Sequence, residues 1–108
     1  TAHTWLPMPL DWAPLTVAAQ SGDPESTLTL FQRAIELRRE RDQLGHTVQW
    51  LPSAPEVLAF RCDDGLVCVL NAGATPVPLP DGTVLLSSGP LSGGQLPPDT
   101  AAWLTSVQ

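Results

Sequence analysis

The stretch DPESTLTLFQRAIELRRERDQL, residues 23–44, constrains this chain more than any other. At about 100° per residue, Leu28, Phe31 and Ile35 fall on one flank of a helix and Leu30, Ala34 and Leu37 on the other. Together they cover about half of the circumference, whereas packing on one surface needs a stripe of roughly 100°. Arg38 and Arg41 interrupt this arc, where their stems can cover apolar surface while the guanidinium groups reach a rim or a carboxylate. Fully burying Leu28, Leu30, Phe31, Ile35 and Leu37 is worth roughly 7–15 kcal/mol before entropy is subtracted, too much to leave in water. The plainer reading is an amphipathic helix on one small domain; the sharper one is a helix made for two bodies, of which this chain contains one. Asp23 is placed as the N-cap, Pro24 where a missing N–H costs nothing, and Gly45 as the C-cap beyond Leu44.

Ahead of the helix, residues 1–22 (TAHTWLPMPLDWAPLTVAAQSG) read as an extended, proline-rich arm. Pro7, Pro9 and Pro14 rule out a regular helix there, leaving room for a short turn at 15–20. Trp5, Leu6, Met8, Leu10 and Trp12 make the arm too apolar for a free linker. After the helix the hydrophobic period changes to two. Strands are expected at 48–51, 57–62, 66–71, 74–79, 83–87 and 100–107, with the clearest hairpin signal across Asp63-Asp64-Gly65. Pro76 and Pro78 confine 74–79 to an edge, and residues 89–99, broken by Gly93-Gly94 and Pro97-Pro98, read as loop. The fold class implied is an all-β antiparallel sandwich or partly closed barrel preceded by one long α-helix. Its divisions are 1–22 arm, 23–44 helix and 46–108 β domain.

If Asp64-Gly65 form a two-residue turn, Cys62 faces Val67 and Arg61 faces Cys68, so the sulfurs are not opposite one another. Two small apolar thiols are expected rather than a disulfide or a metal pair. The net charge of −6, the absence of lysine and the confinement of four of the five arginines to the helical stretch make a poor nucleic-acid or anionic-membrane binder. No positively charged start precedes an apolar run and no apolar run approaches 18 residues, so neither a signal peptide nor a spanning helix is expected. The opening on Thr1 rather than Met suggests a piece of a longer chain.

Glycoside hydrolysis requires two convergent carboxyl groups, one able to hold a proton. Asp63 and Asp64 read as a solvated turn, Asp81 and Asp99 sit in loops, Glu56 precedes a strand, and Asp11 beside Trp12 is a weak sugar platform. His3 and His46 have no nucleophile motif to serve and no metal-ligand spacing. No glycine-rich phosphate loop occurs, and no cofactor or metal is expected. Trp5, Trp12, Trp50 and Trp103 are candidates for a carbohydrate-stacking surface, although their scatter favours packing. By these residues alone the chain is a non-catalytic α-plus-β unit.

DPESTLTLFQRAIELRR, followed by VLAFRCDDGLVCVLNAG and PVPLPDGTVLLSSG, resembles the C-terminal end of a bacterial α-glucosidase. The family is glycoside hydrolase family 13 of the α-amylase superfamily, in its oligo-1,6-glucosidase and trehalose-synthase-related group. The resemblance implies that Trp5-Leu6-Pro7 follows the last barrel strand and that Val17-Ala18-Ala19-Gln20 leads into the eighth helix of a (β/α)8 barrel. The hairpin at 57–71 then lies at the centre of a C-terminal β domain. It also implies a cytoplasmic parent that acts on α-linked glucosides with retention and without a dissociable cofactor. The family's catalytic carboxylates sit on or after earlier barrel strands, so none is carried over here. The implied partner is the missing catalytic barrel, with Leu28, Phe31, Ile35 and Arg38 at the structural interface; without it the chain is expected to self-associate. The alternatives are a carbohydrate-binding module using exposed tryptophans, or an independent protein-interaction domain.

Overall fold

The computed structural model describes residues 7, 9–41 and 47–106. The described part of the arm is not extended: Leu10–Leu15 forms a 3-10 helix with Pro14 inside it, and Val17–Gln20 forms a short helix, α1. So short an element uses few N–H donors, and it accommodates the one that Pro14 lacks.

The long helix, α2, runs from Thr27 to Glu40, and Ser26 caps it instead of Asp23. The Ser26 hydroxyl accepts from the Thr29 N–H at 3.1 Å, and the Gln20 carboxamide oxygen accepts from the Leu28 N–H at 2.9 Å. Two of the donors that a helix start leaves free are thereby satisfied. Asp23 builds the turn before the cap: its carboxylate accepts from the Glu25 N–H at 3.0 Å and its carbonyl from the Ser26 and Thr29 hydroxyls at 2.9 and 2.6 Å. Gly45, the expected C-cap, lies outside the described residues.

Among the described residues seven strands follow. β1 (Val48–Trp50), β2 (Val57–Cys62), β3 (Leu66–Asn71), β7 (Thr100–Ser106) and β5 (Gly82–Ser87) form one antiparallel sheet in that order. β4 (Val77–Pro78) and β6 (Gln95–Leu96) pair in a second, two-stranded sheet. The strand expected at 74–79 contracts to two residues between its prolines, and the stretch expected to be loop contributes β6. Alternation of side chains puts Val57, Ala59, Val67, Val69, Ala102 and Leu104 on one face of the large sheet. They form the core with Leu96, covered by Leu51, Val77, Leu79 and Leu91. The opposite face, carrying Cys62, Leu66, Cys68 and Trp103, meets α2 through the buried Leu37. The large sheet is open, ending in edge strands β1 and β5, and among the described residues no barrel closes.

The hairpin register differs by one residue from the expected pairing. Arg61 faces Val67 and Phe60 faces Cys68, because Asp63, Asp64 and Gly65 make a three-residue connection. Gly65 adopts φ 91°, a conformation costly for residues with a Cβ, and its N–H donates to the Cys62 carbonyl at 3.0 Å. The two sheets are fastened by Asn71, which is 1% exposed. Its amide nitrogen donates to the Thr75 and Leu96 carbonyls at 2.8 and 3.1 Å, and its oxygen accepts from the Gly73 N–H at 2.9 Å.

Candidate functional site

The feature that asks for a function is the outer flank of α2. Leu37, on the flank that meets the sheet, is 4% exposed, whereas Phe31 is 62% and Ile35 52% exposed. Leu28 is half-buried, and Arg38 is exposed, its guanidinium without a hydrogen bond or ion pair among the described residues. Leu28, Phe31 and Ile35 thus share a face turned away from the β domain. Arg38 stands at its margin, lining a crevice of about 180 Å³ with Leu37, Arg41, Cys62, Leu66, Cys68 and Trp103. The chain's radius of gyration, 17.4 Å, exceeds the about 13 Å of a compact domain of this size.

Sequence reasoning missed the tie between helix and hairpin. Arg41 Nη1 lies 2.8 Å from Asp64 Oδ2, and Asp64 Oδ1 also accepts from the Leu66 N–H at 3.0 Å. Burial pushes the Asp64 carboxyl up, but the Arg41 hydrogen bond, the Leu66 N–H and the Arg41 charge outweigh it and hold the group below the usual carboxylate range. A carboxyl held ionised is the opposite of a glycosidase acid. Asp63 accepts from the Thr47 hydroxyl. The signal for the tie was present in the sequence, since Arg41 interrupts an apolar arc that needed a carboxylate nearby. Among the described residues no group of three or more His, Cys, Asp or Glu could hold a metal ion, and no helix is long and apolar enough to cross a membrane.

The surroundings of both thiols disfavour their thiolates. Burial, then the Asp64 and Asp63 charges, push Cys62 up, and burial pushes Cys68 up to about 11. A second cleft, of about 520 Å³, opens between the start of α2 and the end of β5, lined by Ser26, Thr29, Arg33, Leu86 and Ser87 among others. Arg33 is already occupied there by Glu36 at 3.3 Å and Glu40 at 3.9 Å.

Three of the four candidate tryptophans fall among the described residues. Trp12 and Trp50 are exposed and Trp103 is half-buried in the crevice wall. Trp50 meets Phe60 edge-on, with ring centroids 5.6 Å apart and planes at 69°, a favourable aromatic packing geometry. Trp5, His3 and His46 lie outside the described residues.

Comparison with solved structures bears on the fold. An α-glucosyl transfer enzyme, XgtA, superimposes over 93% of the chain with a TM-score of 0.60 and 24% sequence identity. The two have the same fold. A Salmonella typhimurium protein described as a candidate α-amylase matches 56% of the chain at 31% identity, with a TM-score of 0.46. The chain spans 22% of the first and 11% of the second. No family model and no curated protein matches it.

Proposed function

We propose that this chain is the non-catalytic C-terminal scaffold of an α-glucosidase of the α-amylase superfamily, glycoside hydrolase family 13. In this reading α2 is the last helix of a catalytic barrel and the β sandwich is the domain that follows it. The observation that carries it is the division of α2 into a buried flank at Leu37 and an exposed flank at Phe31 and Ile35, on a fold shared with about a fifth of a larger sugar-transferring enzyme. Exposed aromatic and branched side chains one helical turn apart suit a second apolar body better than water.

The scaffold's work is to close the barrel and cover its edge, while Leu28, Phe31, Ile35 and Arg38 meet the barrel side. Chemistry on the α-glucoside belongs to carboxylates of the partner body. The oligo-1,6-glucosidase-like subgroup and a cytoplasmic parent rest on the resemblance of the quoted motifs. Self-association through the same flank is the corresponding behaviour of the chain on its own.

The test is the coding sequence upstream. Barrel strands ending in paired carboxylates sustain the proposal; a stop codon or an unrelated domain overturns it. Sedimentation velocity at several concentrations examines the flank itself, with concentration-dependent association expected and a strictly monomeric boundary counting against a sticky face.

A further inference from the structure

The hairpin register brings the two cysteines to one place. Because Phe60 faces Cys68, Cys62 stands two residues further along β2, diagonal to Cys68 and on the same face. Under a two-residue turn they would lie on opposite faces of the sheet. Both line the crevice beneath α2, whose other walls are Leu37, Leu66, Trp103 and the stems of Arg38 and Arg41.

We propose that Cys62 and Cys68 form a two-thiolate site for one soft monovalent d10 cation of the copper(I) class. Diagonal neighbours on adjacent strands stand about 7–8 Å apart at Cα, wide for a disulfide, whose Cα atoms usually lie at roughly 4.4–6.8 Å. An ion seated between the sulfurs spans that separation without moving the strands. Thiolates select soft ions, and with only two sulfurs and no third ligating side chain among the residues lining the crevice, four-coordinate zinc is poorly served.

Binding converts two thiols and one cation into an anionic dithiolate complex and two protons released to solvent, so the site acquires one negative charge. Arg38, exposed at the rim and without a partner among the described residues, offsets that charge. Arg41 is already neutralised by Asp64. Burial favours the protonated thiols without preventing displacement of their protons by a soft ion.

The experiment is anaerobic titration of the whole chain with copper(I) buffered by a chromogenic chelator. One ion per chain is expected, with quenching of Trp103 fluorescence. Cys62→Ser and Cys68→Ser should each weaken binding at least 100-fold. Circular dichroism establishes that each variant is folded, and X-ray absorption on the copper-loaded wild-type chain, which needs no variant, should count two sulfurs per ion. Two ions per chain, a single sulfur beside a nitrogen ligand, or variants that hold the ion within threefold of wild type would each overturn the proposal.

Discussion

Arg41 reaches from the end of the long helix to Asp64 at the tip of the β2–β3 hairpin, with Nη1 2.8 Å from Oδ2 and the side chains 23% and 15% exposed. Leu37 supplies a buried apolar contact of α2 with the sheet, and among the described residues this ion pair is the charged one between helix and hairpin. Arg41→Ala and Asp64→Asn should each destabilise the chain by about 1–3 kcal/mol, between the values for exposed and fully buried pairs. A double-mutant cycle in urea should return a coupling above about 0.5 kcal/mol. Additivity within that margin would show that the contact adds nothing.

The same pair sets an acid limit. The Asp64 pKa is lowered from 3.8, so the unfolded chain binds its proton first. The contribution is therefore complete above pH 3.8 and is lost as pH falls through the lower folded value. Urea midpoints measured from pH 6 downwards should fall more steeply in wild type than in Asp64→Asn; parallel curves would refute the assignment.

At the alkaline end the sign reverses. Cys68 is raised from 9.0 to about 11, chiefly by burial, so the unfolded chain ionises first. Its contribution is complete below pH 9.0 and is lost as pH rises through about 11. Cys68→Ala should flatten the loss of stability across that window. At pH 8, a thiol reagent should react with the folded chain far more slowly than with the chain in urea.

Asn71→Ala should be among the most damaging single changes in the β domain. It strands the Leu96 and Thr75 carbonyls and the Gly73 N–H together. A loss of about 2–4 kcal/mol is expected in chemical denaturation. A loss below about 1 kcal/mol would mean that water replaces the amide without cost.

Phe31 and Leu37 sit on the two flanks of one helix and should behave oppositely. Leu37→Ala should cost about 2–5 kcal/mol in the chain alone. Phe31→Ala should change its stability by less than about 0.5 kcal/mol, and should cost about 3–5 kcal/mol only where a barrel covers the ring. A large loss for Phe31→Ala in the monomeric chain would remove the case for a missing neighbour.

Both strands of the central hairpin were legible to the residue, because alternating apolar side chains and the Asp-Asp-Gly turn are local signals. The pairing between them was not. It depends on whether the turn takes two residues or three, and Asp64 settles that by binding Leu66 and Arg41, a partner far along the chain. One slipped residue brought Cys62 and Cys68 onto the same face. β6 escaped notice for a related reason: Gln95 and Leu96 sit between Gly-Gly and Pro-Pro, and only pairing with distant β4 makes them a strand. The sequence reading put the cap of α2 at Asp23, and the contact of Gln20 with Leu28, which accompanies the Ser26 cap, cannot be seen in a local window. The wide apolar arc was legible, since it follows from periodicity alone.

The Gln20 carboxamide grips both sides of a corner, donating to the Leu15 carbonyl at 2.8 Å while accepting from Leu28 at 2.9 Å. A hinge at this point would have to tear both grips before it could swing. One side chain thus fastens the turn at Leu15 to the first turn of the long helix, so that Gln20→Ala would free both ends of the corner at once.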